Sequence, residues 1–195
     1  MDDSIGVLAR SPEVAIRPLT VDEYYRMAEL GILRRDERIE LIEGQIVKMS
    51  PIGPLHVGVV GAIHELLVRM LAGQVTVLSQ SPLRLEDATC PEPDVMILMR
   101  REDFYRTALA HPADVILVVE VADSSIGYDR KSKVPLYARN AIRELWIVDL
   151  NARLIEVYRS PAEGAYRSVI RVGCDGSLDV EALPDVAVQA ADIFG

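Results

Sequence analysis

Two acids on apolar runs are the residues of this sequence best suited to chemistry. Val115-Ile-Leu-Val-Val119 runs unbroken into Glu120, and Asp94 follows Pro91-Glu92-Pro93 and opens the run Val95-Met-Ile-Leu-Met99. An unbroken apolar run of this length reads as a strand covered on both faces. A carboxylate there is costly to desolvate and needs a cation, either a basic side chain or a metal. Arg130, Lys131 and Lys133 follow Glu120 closely. If the two runs are neighbouring strands, Asp94 and Glu120 face each other and suit Mg²⁺ or Mn²⁺, with water and substrate phosphate completing the shell. Such an ion polarises a phosphoryl oxygen and helps generate hydroxide for in-line attack. A lysine within reach would orient the water or stabilise charge developing in the transition state.

The elements that must position these residues follow from patterning. Thr20-Val-Asp-Glu23 has the form of a capping box, and Tyr24, Met27, Leu30 and Leu33 continue at helical spacing to a stop near Gly31. Arg38 to Met49 alternates around Glu43-Gly44 as a hairpin does, and Glu40, Ile42, Gly44 and Ile46 are expected on one face. After Ser50-Pro-Ile-Gly-Pro54, residues 55–71 carry a helical stripe of Val59, Ile63, Leu66, Leu67 and Met70. His56 opens that helix. His64 lies eight residues on, about 80° around the axis, so the two are no ligand pair.

Strands are expected at 75–85, 94–99 and 114–122, then a helix to about Ala138 and a strand at Arg143–Asp149. Leu154–Tyr158 and Tyr166–Val172 extend that last strand into a meander, and the tail through Leu178, Val180 and Val186 alternates weakly. His111-Pro112 closes a polar loop, Trp146 reads as core, and Asp149 as a turn or capping residue at a strand end. The strand-helix-strand crossover at 114–149 favours a parallel, right-handed connection, whereas the shorter links before it allow antiparallel pairing. A mixed β-sheet flanked by helices follows, an α/β fold.

Composition limits the function classes. The chain has 195 residues, half of them apolar, which suits residues 1–18 as a flexible lead and 19–195 as a single domain. No apolar stretch nears the roughly 18 residues that span a membrane, so no membrane partner is expected. Acid in Met1-Asp-Asp-Ser-Ile-Gly6 argues against export, and two distant cysteines, Cys90 and Cys174, read as reduced thiols of a cytoplasmic protein. A net charge of −9 weakens any non-specific hold on nucleic acid. It leaves room for one local basic face, and Arg130, Lys131, Lys133, Arg139 and Arg143 supply it beside the two acids.

In order, helix, three strands with Pro93-Asp94 and Glu120, helix and strand resemble the αβββαβ core of the PD-(D/E)XK nuclease superfamily. More closely, the chain resembles the Uma-type restriction-endonuclease family, in Glu40-Leu-Ile-Glu-Gly44, Met49-Ser-Pro51 with His56, Pro93-Asp94, Val119-Glu-Val121, Asp129…Lys133…Leu136-Tyr137 and Glu144-Leu-Trp-Ile-Val-Asp149. The resemblance covers roughly residues 19 to 160. It implies a restriction-endonuclease-like domain with an N-terminal helix-hairpin extension, and Asp94 and Glu120 as metal ligands.

The superfamily lysine usually stands two residues after the glutamate, where this chain has Ala122. The resemblance gives that role to Lys133 on the next helix, with Lys131 as fallback. A surface salt bridge between Asp129 and Lys133 is the bland reading of the same spacing. Pro135 fits a helix capped by Ser132, which would set Lys133 at the helix start. Glu40 and His56 are second-tier site residues. Arg130, Lys131 and Arg139 are the expected contacts to DNA backbone phosphates.

The expected function is a Mg²⁺- or Mn²⁺-dependent endodeoxyribonuclease, a hydrolase of phosphodiester bonds, acting as a homodimer. The alternative is a non-catalytic nuclease-fold module that binds DNA or protein. RNA or a branched junction would be the substrate under a third reading.

Overall fold

The computed structural model describes residues 15–34 and 36–195. The expected lead of residues 1–18 therefore lies, up to residue 14, outside the described residues. The chain forms two compact units, one reaching to Met49 and including Glu86–Cys90, the other comprising Ser50–Leu85 and Pro91–Gly195.

In the first unit, helix α1 (Val21–Glu29) starts at Thr20. The Thr20 hydroxyl accepts the Glu23 N–H and the Glu23 carboxylate accepts the Thr20 N–H, a complete capping box. Leu30 caps the helix and Gly31 follows at φ +74°. Leu30 and Leu33, expected in the apolar stripe, therefore lie beyond the helix end, and Leu30 is exposed.

Strands β1 (Ile39–Ile42) and β2 (Gln45–Lys48) form the hairpin, with Glu43 and Gly44 at φ 51° and 73° in a two-residue turn. A Cβ on Gly44 would collide with Pro18, so glycine is required there on two counts. Glu40 pairs with Val47 and Leu41 with Ile46. Ile46 thus shares a face with Leu41, not with Glu40 as expected, because the alternation breaks at the turn and restarts beyond it.

The second unit is built on a six-stranded sheet in the order β3-β4-β5-β6-β7-β8: Val75–Ser79, Val95–Met99, Val115–Ala122, Glu144–Asp149, Leu154–Ala162 and Ala165–Gly173. All neighbours are antiparallel except β5 and β6, joined by the helical crossover. The sheet is mixed, as the element order requires.

One face of the sheet packs against helix α2 (Pro54–Met70), the hairpin of β9 (Ser177–Val180) and β10 (Leu183–Gln189), and the short helix ending the chain. Val59, Ile63 and Leu67 of α2 meet Val95, Ile97, Leu117, Val119, Val121 and Trp146 in that layer. On the opposite face the alternate residues Met96, Val118, Leu145 and Ile147 are also buried, as are Leu136, Tyr137 and Ala138 of the crossover helix. Two covered faces explain why β5 reads as an unbroken apolar run. Each fully buried Leu, Ile or Val is worth roughly 1.5–3 kcal/mol against leaving it exposed.

The crossover helix has three contiguous parts: α3 (Ile126–Tyr128), a π-turn (Asp129–Lys133) and α4 (Val134–Arg139). The Val134 N–H reaches the Asp129 carbonyl, five residues back. Pro135 accounts for this wide turn: it has no N–H to donate, and its ring crowds the carbonyl four residues back. The expected break at Ser132 is therefore absent. Lys133 lies inside a continuous helix, not at the start of a new one.

Candidate active site

The register of β4 and β5 sets the acids together. Val95 pairs with Val119, and one more step along the ladder sets Asp94 opposite Glu120. Asp94 ends the ladder in its own way: its Oδ2 accepts the Val121 N–H at 2.8 Å. His56, in the first turn of α2, brings its Nε2 to 3.3 Å from the same oxygen. Pro54 opens that helix, where its missing N–H is harmless, and so fixes the turn that carries the imidazole. Asp94 is 7% exposed and His56 is equally buried.

Glu120 is 3% exposed, and it has the cation its strand demands. The Lys133 Nζ lies 3.0 Å from Glu120 Oε1, and the Tyr137 hydroxyl donates to the same oxygen at 2.6 Å. Lys133 is itself 6% exposed. Its spacing from Asp129 therefore marks no surface salt bridge. Asp129 is buried too, and accepts a hydrogen bond from the Ser125 hydroxyl at 2.7 Å. Ala122, two residues beyond Glu120 on the same strand face, is fully buried and carries no charge. The ammonium comes instead from the helix across that face.

A second set of charges lies on the same row of the sheet. Glu120 pairs with Ile147, and Ile147 with Glu156. Glu156 is fully buried and takes Arg130 Nε at 3.0 Å, Arg171 Nε at 2.9 Å and the Tyr158 hydroxyl at 2.8 Å. Arg130 also donates to Asp149 Oδ2 at 3.1 Å. Burial pushes the Glu156 carboxyl up, but the bonds from Arg130, Tyr158 and Arg171 outweigh it and hold the group below the usual carboxylate range. The Glu156 carboxylate in turn raises the Arg130 guanidinium above its ordinary value.

These contacts sort the expected site residues. Asp94, Glu120, Lys133 and His56 are drawn together. Lys131, the fallback lysine, is exposed, as is Arg139. Arg130, expected on DNA phosphates, bonds to Glu156 and Asp149 with its side chain 39% exposed. Asp149 also accepts the Ala152 N–H, the turn role its position suggests. Glu40 is buried on β1 in the first unit. Trp146 is core, its indole N–H bonded to Glu144 at 2.8 Å.

Among the described residues no three or more His, Cys, Asp and Glu side chains gather as a metal-binding group. Mg²⁺ asks less than that, since one or two carboxylates with water and substrate phosphate commonly hold it. Asp94 and Glu120, hard oxygen donors at adjacent ladder positions, fit that demand.

A family model described as "Putative restriction endonuclease", Uma2, matches residues 21–191. The chain belongs to the Uma2 family. A solved structure, of a "putative nuclease belonging to DUF820" from Anabaena variabilis, is similar to it with a TM-score of 0.70 and 14% identity. The match covers 91% of this chain and 98% of that one. At that identity the likeness speaks for the fold, which is restriction-endonuclease-like. No match is found among curated proteins. Among the described residues no helix is long and apolar enough to cross a membrane.

Two features of this Uma2 chain escape a reading of its sequence. Tyr137 was visible only as part of a motif, four residues after Lys133, and nothing in the spacing assigned it to Glu120. Glu156 sits in Leu154-Ile-Glu-Val-Tyr158, whose alternation looks like one wet face. Its buried carboxylate is met by Arg130, 26 residues away, as well as by Arg171 and Tyr158.

Proposed function

We propose that this Uma2 protein is a metal-dependent endonuclease that hydrolyses DNA phosphodiester bonds. Family and fold support a nuclease. The observation that carries the catalytic reading is the buried ammonium of Lys133 on Glu120, at the ladder position facing Asp94. A buried ion pair is a poor source of stability, because desolvation offsets most of its Coulomb attraction. Packing alone gives little reason to keep one here.

Asp94 and Glu120 would hold Mg²⁺ or Mn²⁺, which when bound supplies Lewis acidity to the phosphoryl oxygen and lowers the pKa of water. Lys133 offers positive charge to the phosphoryl oxygens as negative charge builds on them. His56 and the Val121 N–H fix the Asp94 carboxylate. Arg130, Lys131 and Arg139 are the proposed phosphate contacts, which would position DNA without reading its sequence. Cutting both strands would call for two copies related by a twofold axis.

Plasmid nicking with Mg²⁺ or Mn²⁺, against a chelator control, tests this reading. Activity is expected in wild type and lost in Asp94→Asn and in Glu120→Gln. Unchanged activity in both variants would remove these residues from the site.

A second reading, a non-catalytic binding module, is favoured by the net charge of −9. It predicts no heat of Mn²⁺ binding that depends on Asp94 and Glu120.

A further inference from the structure

At the end of β4 away from Asp94, one exposed aromatic ring carries two guanidinium groups. Arg100 follows β4 as Asp94 precedes it, about 20 Å apart along a strand. The Arg100 guanidinium lies 4.3 Å from the centroid of the Phe104 ring and that of Arg106 lies 5.7 Å from it. Phe104 is 42% exposed. Among the described residues neither arginine pairs with an acid, in a chain whose net charge is −9. Their positive charge is free to meet an anion from outside.

The loop is built to present that ring. Phe104 and Tyr105 sit at φ 51° and 62°, a left-handed backbone that strains an aromatic residue. The Asp103 carboxylate holds them there. It accepts the Tyr105 N–H at 3.3 Å, the Thr107 hydroxyl at 2.6 Å and two N–H groups of Arg101 at 3.0 and 2.8 Å. The Tyr105 hydroxyl donates to the Met99 carbonyl at 2.7 Å, back on β4.

Phe104 and Arg100 also line a cavity of about 350 Å³, together with Val68 and Leu71 around the end of α2 and Val75 and Val77 of β3. That volume is at the lower end for ligand pockets and suits one ring system. Thr76 lines the cavity as well. It is 4% exposed, and among the described residues its hydroxyl has no hydrogen-bond partner. A buried hydroxyl left unbonded is a cost that a ligand would remove.

We infer that this cavity takes an unpaired nucleobase of single-stranded DNA. The base enters against Phe104 and offers its edge to Thr76, while the flanking phosphates meet Arg100 and Arg106. Every base has a flat π-face, so such a site tolerates sequence, and the arginines add charge and cation–π attraction. The inference rests on the reading of the protein as a nuclease acting on DNA. It adds to that reading a hold on unpaired DNA away from Asp94 and Glu120.

Anisotropy of a labelled oligothymidine, with chelator present to prevent cutting, is the direct test. Phe104→Ala should weaken binding about 5- to 150-fold, equivalent to about 1–3 kcal/mol for one stacked base. Arg100→Gln and Arg106→Gln should each lower the slope of log K against log salt by about 0.7. Thr76→Val keeps the shape of the cavity wall, so it should weaken oligonucleotide binding without lowering the thermal midpoint. Photo-cross-linking of wild type to an oligonucleotide carrying iodouracil needs no substitution, and its adduct should map to Phe104.

Unchanged single-strand affinity in Phe104→Ala overturns the inference, as do adducts that map only elsewhere. A wild-type dimer that Phe104→Ala splits in sedimentation, with DNA binding intact, would give the cavity to a second copy instead. If wild type neither binds nor cuts DNA, the nuclease reading fails and this one with it. If wild type nicks plasmid and Phe104→Ala keeps full single-strand affinity, only the base site fails.

Discussion

Arg130 and Lys133 are three residues apart in the π-turn, yet they bond to acids two strands apart. Lys133 meets Glu120 on β5 and Arg130 meets Glu156 on β7, with Ile147 of β6 between the two acids in the same row. The helix is thus held to the sheet by two ion pairs that straddle an apolar residue. Lys133 belongs to the candidate site, whereas Arg130 fixes the turn that presents it.

Removing the lysine should expose how much Glu120 depends on it. Lys133→Met leaves a buried carboxylate without its cation, a change that costs about 3–5 kcal/mol in comparable pairs. Adding Glu120→Gln to that variant removes the second charge and should return most of the loss. Urea unfolding of the two variants checks this. A double variant no more stable than Lys133→Met would show that the pair does not act as a unit.

Arg130→Met should loosen the same helix from its other end. Glu156 keeps Arg171 and Tyr158, so the expected loss is about 1.5–3 kcal/mol, the range for hydrogen bonds to charged groups. Nicking should slow as well, through the displaced Lys133. Full activity with lowered stability would mean that the two ends of the turn are uncoupled.

How far the sequence reveals this arrangement depends on the range of the forces involved. The run into Glu120, the Thr20 capping box and the Glu43-Gly44 turn are local, and each reads directly from neighbouring residues. The demand of Glu120 for a cation also reads from its strand alone, because desolvation penalises any buried carboxylate. Which cation answers is a tertiary matter. Arg130, Lys131 and Lys133 look alike in sequence, but the wide turn at Pro135 sends Lys133 to Glu120 and Arg130 to Glu156 and Asp149, while Lys131 stays exposed. Glu40 was set on the wrong face relative to Ile46 because a strand period was carried through a turn. The burial of Glu156 does not read from its own strand, because Arg130, 26 residues before it, and Arg171, 15 residues after it, meet its carboxylate only in the fold.

Exposed lysine and arginine near the site should govern the salt response of DNA binding. Lys131→Ala should weaken binding about equally for all sequences and reduce the slope of log K against log salt by about 0.9, as loss of one phosphate contact does. Fluorescence anisotropy with a labelled duplex at several salt concentrations measures both quantities. An unchanged slope would take Lys131 out of the interface.

The Glu156 network also sets limits on stability at both ends of the pH scale. Its carboxyl is held below the ordinary 4.5, so the folded protein binds fewer protons there than the unfolded chain does. The stability it contributes is complete above about pH 4.5 and is lost as the pH falls through the lower folded value. Tyr158 is the alkaline counterpart. Burial, then its bond to the Glu156 carboxylate, pushes its phenol from 10.0 up to about 12. A raised value reverses the direction: that contribution is complete below pH 10 and is lost as the pH climbs through 12. Denaturant midpoints measured across the pH range should therefore fall at both ends, with Glu156→Gln blunting the acid limb and Tyr158→Phe the alkaline one. If Glu156→Gln left the acid limb as steep as in wild type, acid sensitivity would have to arise at other carboxylates, and the Arg130 tether would be a minor part of the fold's stability.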